Sequence, residues 1–212
     1  MTFASGDPTT LLLVRHGETA LTPERRFSGS GGSDPELSAT GRRQAEAVAG
    51  VLATLGPVHA VVSSPLRRCR ETAAATAGKL GLEVQVAAGL READFGVWEG
   101  LTFAEIRARY PEELAEWLAS PAAVPGGTGE SMDSVTRRVE ESRDKLLAQF
   151  PGQRVLVVSH VAPLRTLVRL ALGAPPESLF RMELAAASLS EVAYYPDGSA
   201  SVRSLNDTAH LR

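Results

Sequence analysis

The chain has 212 residues, 43% of them hydrophobic, and a formal net charge of -3, which is enough apolar material for one substantial core in one domain. That charge excludes the basic footprint of a nucleic-acid module, and no apolar run is long enough to span a bilayer. The single cysteine, Cys69, excludes an internal disulfide and fits a reducing, cytoplasmic setting.

Residues 1–10 lack the charged start and apolar centre of a signal peptide and read as a flexible tail or linker remnant ahead of a domain over 11–212. The run Leu11-Leu12-Leu13-Val14 reads as a buried parallel strand ending on Arg15-His16-Gly17. Phe27 to Pro35 reads as a loop, made mobile by Gly31-Gly32-Ser33. Ala45, Val48, Ala49, Leu52 and Leu55 then share a helical face, and Gly56-Pro57 stops that helix. A second strand, Ala60-Val61-Val62, enters Ser63-Ser64-Pro65-Leu66-Arg67-Arg68; an alanine-rich helix from Arg67 to Leu80 follows and closes at Gly81. A short strand near Val84 to Val86 precedes Leu90-Arg91-Glu92-Ala93-Asp94-Phe95-Gly96. Leu101 to Leu118 reads as two helices broken near Pro111, followed by a loop through Pro121, Pro125, Gly126 and Gly127. Met132, Val135, Val139, Leu146 and Phe150 mark a long amphipathic helix ended by Pro151-Gly152. A strand from Val155 to Val158 runs into Ser159-His160, a helix covers Pro163 to Leu172, and Leu189–Tyr195 with Ala200–Leu205 form an edge hairpin around Pro196-Asp197-Gly198. The alternation implies an α/β fold with a mostly parallel sheet.

Ligands of such sheets bind beyond the carboxyl ends of the strands. There the three polar junctions would bring His16, His160, Arg15 and Arg68 together. Arginine forks suit phosphate oxygens. A neutral histidine is a competent nucleophile near neutral pH and can carry a phosphoryl group on nitrogen. Gly17 would let the backbone approach the ligand, and Glu92 or Asp94 could protonate the departing alkoxide.

Arg15-His16-Gly17-Glu18-Thr19, Ser63-Ser64-Pro65-Leu66 with Arg68 and Thr72-Ala73, Glu92 with Phe95-Gly96 and Trp98-Glu99-Gly100, and Ser159-His160 occur in this order. Together they resemble the histidine phosphatase superfamily, the phosphoglycerate mutase-like group, over about Leu11 to Leu205. Glu92 to Thr102 is similar to the α-ribazole phosphatase branch, and more so to the phosphatase domain of actinobacterial bifunctional ribonuclease H/acid phosphatases. The resemblance implies a three-layer α/β/α sandwich and a metal-independent acid phosphatase without cofactor, acting on a small phosphate ester. His16 would be the phosphorylated nucleophile, and Arg15, Arg68 and His160 the phosphate clamp, with His160 protonated beside the anion. Glu92 would be the general acid and base, with Ser28 and the Val161 N–H as further phosphate contacts. It also implies covalent fusion to a ribonuclease H domain in a longer protein. The chain departs from the family at Thr22, where asparagine is usual, and at Val161, where glycine is common.

The competing readings are blander. Arg67 and Arg70 read as solvated helix residues, Cys69 as a small packing residue, and His59 and His210 as structural or surface groups. Gly29 to Gly32 lacks the Gly-Lys-Ser/Thr of a nucleotide loop, and no His-Glu-x-x-His pair marks a metal. Asp94 reads as a loop cap, and Trp98 as packing beneath the site. Tyr110, Trp117 and Phe103 read as an apolar wall for a nucleotide base, a ribazole-like ring or an aryl group. An α-ribazole-5'-phosphate phosphatase, a phosphoglycerate mutase-type phosphotransferase and a non-catalytic phosphoryl-binding domain are the alternatives.

Overall fold

The computed structural model describes residues 6–212; of the tail expected over 1–10, residues 1–5 lie outside the described residues. Six strands form one sheet: β1 (Thr9–Arg15), β2 (Ala60–Ser63), β3 (Val84–Val86), β4 (Arg154–Ser159), β5 (Leu189–Tyr194) and β6 (Ala200–Asp207), in the order β3-β2-β4-β1-β5-β6. β3, β2, β4 and β1 run parallel, while β5 and β6 add an antiparallel edge hairpin. β1 starts at Thr9, ahead of the expected boundary. Thr9 and Thr10 are buried because the Thr9 hydroxyl donates to the Phe150 carbonyl at 3.1 Å and the Thr10 N–H to the Gln153 carbonyl at 2.8 Å.

The strand period of two divides the core between the two faces of the sheet. Leu11, Leu13, Val62, Val155 and Val157 pack with α5 (Met132–Gln149) and α6 (Val161–Leu172). Leu12, Val14, Val61, Leu156 and Val158 pack with α1 (Ala39–Leu52) and α2 (Arg67–Leu80). The result is the three-layer α/β/α sandwich. The central strands are apolar on both faces, which explains why they read as continuous runs.

α3 (Phe103–Arg109) and α4 (Pro111–Ala119) break at Tyr110-Pro111 as expected, with α3 started by a Thr102/Glu105 capping box. Two boundaries differ from the sequence reading. α1 ends at Leu52, so Leu55 lies past the helix and is 46% exposed. α6 begins at Val161, with Pro163 inside its first turn, where its missing N–H costs no helical bond. The loop expected to be mobile is anchored on either side of Gly31-Gly32-Ser33: the Gly29 N–H donates to Glu99 at 2.8 Å and the Ser30 N–H to the Ala93 carbonyl at 3.1 Å. Both Asp34 carboxylate oxygens accept from the Arg67 N–H, at 2.9 and 3.0 Å. Among the described residues no helix is long and apolar enough to cross a membrane.

Candidate active site

The carboxyl ends of β1, β2 and β4 open onto a cavity of about 490 Å³. Arg15, His16, Ser28, Glu92 and Val161 line it. Arg68 and His160 lie behind this lining, both 0% exposed. All seven residues expected at the site therefore gather at one end of the sheet.

His16 follows the last residue of β1, and its backbone N–H is held by the Ser159 carbonyl at 3.0 Å. Its Nδ1 lies 2.8 Å from the Gly17 carbonyl, which can only accept. The ring proton therefore sits on Nδ1 and leaves a lone pair on Nε2. Burial, then Arg15 and Arg68, hold His16 well below the usual histidine range, so the ring stays neutral. His160 shares a 2.7 Å hydrogen bond with the Ser64 hydroxyl through Nε2, and Cys69 Sγ lies 3.3 Å from that nitrogen. The rings of His16 and His160 meet edge to face, with centroids 5.1 Å apart. His160 too is held well below its usual range, by burial first and Arg68 next. The protonation expected of His160 is one beside a bound anion; burial and the two guanidinium groups act in the opposite sense and favour the neutral ring. Cys69 is a packing residue as expected, but one that touches the histidine; burial pushes its thiol up and keeps it inert.

Arg15 donates from Nη1 to the Leu184 carbonyl at 2.7 Å, leaving Nε buried without a partner among the described residues. Arg68, on α2, donates from Nη2 to the Ser28 carbonyl at 2.9 Å, and its Nη1 lies 3.6 Å from Asp34. Among the described residues its Nε and Nη1 have no hydrogen-bond partner, and neither has the buried Ser28 hydroxyl. Buried donors without acceptors are costly, and here they lie in and directly behind the cavity lining. Their chemistry suits an oxyanion.

Glu92 is supported from behind. Arg138, on α5, donates from Nη1 to the Gly89 and Arg91 carbonyls at 2.6 and 2.7 Å and from Nη2 to the Glu92 carbonyl at 3.2 Å. Its Nε and Nη2 each bond Glu130 at 2.8 Å. The Glu92 carboxylate caps α6, accepting from the Val161 N–H at 3.1 Å and the Ala162 N–H at 3.2 Å, besides its own neighbour Ala93 at 2.9 Å. Burial nevertheless outweighs these bonds and Arg68, so Glu92 is pushed above the usual carboxylate range.

Two expectations need correction. The Val161 N–H is not free for phosphate, because a helix N-terminus takes the nearest anion and Glu92 already accepts from it. Gly17 is also required by a helix: a Cβ there would fall 2.5 Å from the Gly41 carbonyl, and one on Gly41 would overlap Glu18. The wall also differs. Trp117 lines the cavity, but Tyr110 and Phe103 do not; Phe27, Phe95 and Phe180 take their places. Phe27 meets Phe95 at 4.8 Å and Trp117 meets Phe180 at 4.9 Å, both edge to face. Asp94 caps the loop, accepting from the Gly96 N–H at 2.8 Å, and Trp98 is fully buried beneath. Thr22 lines the cavity with its hydroxyl accepting from the Thr19 N–H at 3.0 Å. Arg67 pairs in the open with Glu36 and Glu71, and His59 accepts from the Arg154 N–H at 3.1 Å. His210 Nε2 lies 2.9 Å from the Ala187 carbonyl.

Sequence reasoning missed Arg25 and Arg165, both cavity-lining. Arg165 stands one helical turn beyond Val161, and that i, i+4 spacing is the signal that could have found it. Burial pulls Arg165 down, with Glu92 acting against it. Arg25 has left-handed backbone, φ 53°, at the cavity mouth.

The sequence pattern of the histidine phosphatase superfamily (branch 1) matches residues 11–208. Bifunctional protein Rv2228c of Mycobacterium tuberculosis is 50% identical over 210 residues, covering 99% of this chain and 57% of that protein. The chain thus spans little more than half the length of that relative. Phosphoserine phosphatase 1 of Hydrogenobacter thermophilus is 33% identical over 201 residues, covering 95% and 93% of the two chains. Among solved structures, mycobacterial glucosyl-3-phosphoglycerate phosphatase Rv2419c superposes with a TM-score of 0.84 at 29% identity, covering 95% of this chain and all of that one.

Proposed function

The chain belongs to the histidine phosphatase superfamily (branch 1), and from that membership we propose that it is a metal-independent phosphomonoesterase working through a phosphohistidine on His16. One observation carries the reading: His16 offers an unprotonated Nε2 to a cavity that also holds a carboxyl pushed toward its protonated form.

In this account Nε2 attacks phosphorus, the phosphorus–oxygen ester bond breaks, and the Glu92 proton passes to the leaving alkoxide, which departs as an alcohol. The Glu92 carboxylate then takes a proton from water as the water oxygen attacks phosphorus. The phosphorus–nitrogen bond breaks, its electron pair returns to Nε2, and phosphate leaves. Arg15, Arg68, His160 and the Ser28 hydroxyl stabilise charge on the transferring group. An anion beside His160 favours its protonated form, reversing the balance set by the two arginines.

The reaction needs neutral His16 and protonated Glu92 together. His16 lies below its usual range and Glu92 above its own, so activity rises as pH climbs through the His16 value and falls as pH climbs through the Glu92 value. That window lies on the acidic side and supports an acid phosphatase. The aromatic wall of Phe27, Phe95, Trp117 and Phe180 favours an ester with an apolar or ring-bearing portion, an α-ribazole phosphate or an aryl phosphate included. The match to 57% of a bifunctional protein supports operation beside a covalently joined second domain, with any ribonuclease chemistry outside these residues.

The test is phosphate release from an aryl phosphate with EDTA present, across about pH 4 to 8, comparing the protein with His16→Ala. Turnover that survives EDTA, peaks in acid and disappears in the variant is expected. Turnover that needs metal or persists without His16 contradicts the reading.

A further inference from the structure

Arg15 and His16 are gripped by residues 184–188, a stretch outside any helix or strand that leads into β5. The Leu184 carbonyl accepts from Arg15 Nη1 at 2.7 Å, and the Ser188 carbonyl accepts from the Arg15 N–H at 3.3 Å. The Ala187 N–H donates to the His16 carbonyl at 3.1 Å. Ala187 is fully buried with left-handed backbone, φ 57°. A residue with a Cβ keeps that conformation only where its surroundings hold it.

The hold comes from the residues that end β6 and follow it. Asn206 Oδ1 accepts from the Ala185 N–H at 2.7 Å. Asn206 is itself left-handed, φ 57°, a conformation asparagine tolerates, and its N–H donates to the Ser190 hydroxyl at 3.0 Å. His210 Nε2 lies 2.9 Å from the Ala187 carbonyl, which can only accept, so this nitrogen is the donor. The ring is carried by the short helical turn Ala209–Leu211, which packs on α1 and sets Leu211 against the core of that face.

The geometry points to Asn206 and His210 as positioning residues: they fix the 184–188 stretch, which fixes the Arg15 fork and the His16 backbone. The inference rests on the phosphohistidine reading for what Arg15 and His16 do. Neither Asn206 nor His210 lines the cavity, so both act through others. They hold the two sides of one turn, closed by the Ser188 N–H on the Ala185 carbonyl at 3.1 Å. From His210 the path is two bonds long, ring N–H to the Ala187 carbonyl and Ala187 N–H to the His16 carbonyl. A shift of about 1 Å in a reacting group costs up to about 10²-fold in rate, so a slack turn is felt first in the chemical step.

Asn206→Gly removes the acceptor and keeps the left-handed backbone accessible; His210→Leu removes the donor. Each is expected to slow phosphorylation of His16 by an aryl phosphate, read in a single turnover, by about tenfold or more with KM little changed. Asn206→Asp keeps an acceptor and His210→Gln a donor, and these are expected to recover most of the rate. Full rate in Asn206→Gly and His210→Leu overturns the inference, as does a loss that the conservative pair fails to recover. If Asn206→Gly does not fold, His210→Leu and His210→Gln decide by themselves. Heteronuclear NMR of the Arg15 Nε–H and the His16 ring reads the same positions without substrate: the signals should move in the removing variants and return in the conservative ones, and unmoved signals contradict the inference. Failure of the phosphohistidine reading shows separately, as no label on His16 in the unsubstituted protein, while the NMR signals still decide whether Asn206 and His210 set the positions of Arg15 and His16.

Discussion

At the scale of single residues, the proposed reaction divides the site into groups that would touch the reacting atoms and groups that hold them. Glu92 is proposed to donate a proton, so Glu92→Gln is expected to slow hydrolysis of alkyl phosphates by about 10²–10⁴-fold and nitrophenyl phosphate far less, since nitrophenolate leaves unaided. Equal losses on both esters would remove Glu92 from that role. Arg138 touches no substrate; it fixes the Gly89, Arg91 and Glu92 carbonyls and is itself oriented by Glu130. Arg138→Met is expected to show the same dependence on leaving group at smaller size, about tenfold, with KM little changed and the basic limb of the pH profile displaced. A uniform loss across leaving groups would mean that Arg138 serves stability alone. His16, Arg15, Arg68 and His160 were legible in the sequence because each stands directly at a strand end or at a fixed offset from one. Arg165 was signalled only by its i, i+4 spacing from Val161, and Phe180 not at all, since its place depends on how residues 176–181 fold across the cavity.

At the scale of elements, α1 is brought against the β1 exit by a pair of glycines. Gly17 and Gly41 approach so closely that neither tolerates a Cβ without backbone movement. Glu18 then locks the junction: its carboxylate accepts from the Ser38 hydroxyl at 2.7 Å, and Ser38 caps α1 at Gly41. Gly41→Ala is expected to cost about 1–3 kcal/mol, read by urea unfolding, and to lower activity by displacing His16; a neutral result would show that the helix can retreat. Helix and strand existence followed from periodicity, including the break before Pro111. Ends followed less well. Leu55 continues the apolar pattern of α1, but the chain turns after Leu52, because a terminal turn is decided by local bonding rather than by the face it would bury. The Val161 N–H was assigned to phosphate since spacing shows a helix start but not which anion reaches it first.

At the scale of the whole molecule, folding places two neutral histidines and a protonation-prone carboxyl around one cavity. His16 and His160 have folded values lowered below the unfolded one near 6.5, so below that pH the unfolded chain binds more protons and stability falls. Each histidine contributes a slope of up to about 1.4 kcal/mol per pH unit. Glu92 acts in the opposite sense, because its folded value is raised: it takes up a proton before the unfolded chain does and offsets part of one histidine's loss. Urea unfolding is therefore expected to show a net decline from about pH 7 to pH 5, shallower in His160→Asn and shallower with inorganic phosphate bound. A flat profile would mean that the buried rings are charged in the folded protein. The sheet order and the position of the cavity follow from β1 lying between β4 and β5, a placement that strand composition alone does not encode.

The central claim is a covalent phosphoryl group on His16, and the most direct measurement is to trap it. Protein mixed briefly with an aryl phosphate, quenched in alkali and digested should carry one phosphoryl group on the peptide containing His16, at a nitrogen and sensitive to acid. The label should build up further in Glu92→Gln with an activated ester, where release to water is slowed. Turnover with no label on that peptide, or a label on any other residue, would contradict the account.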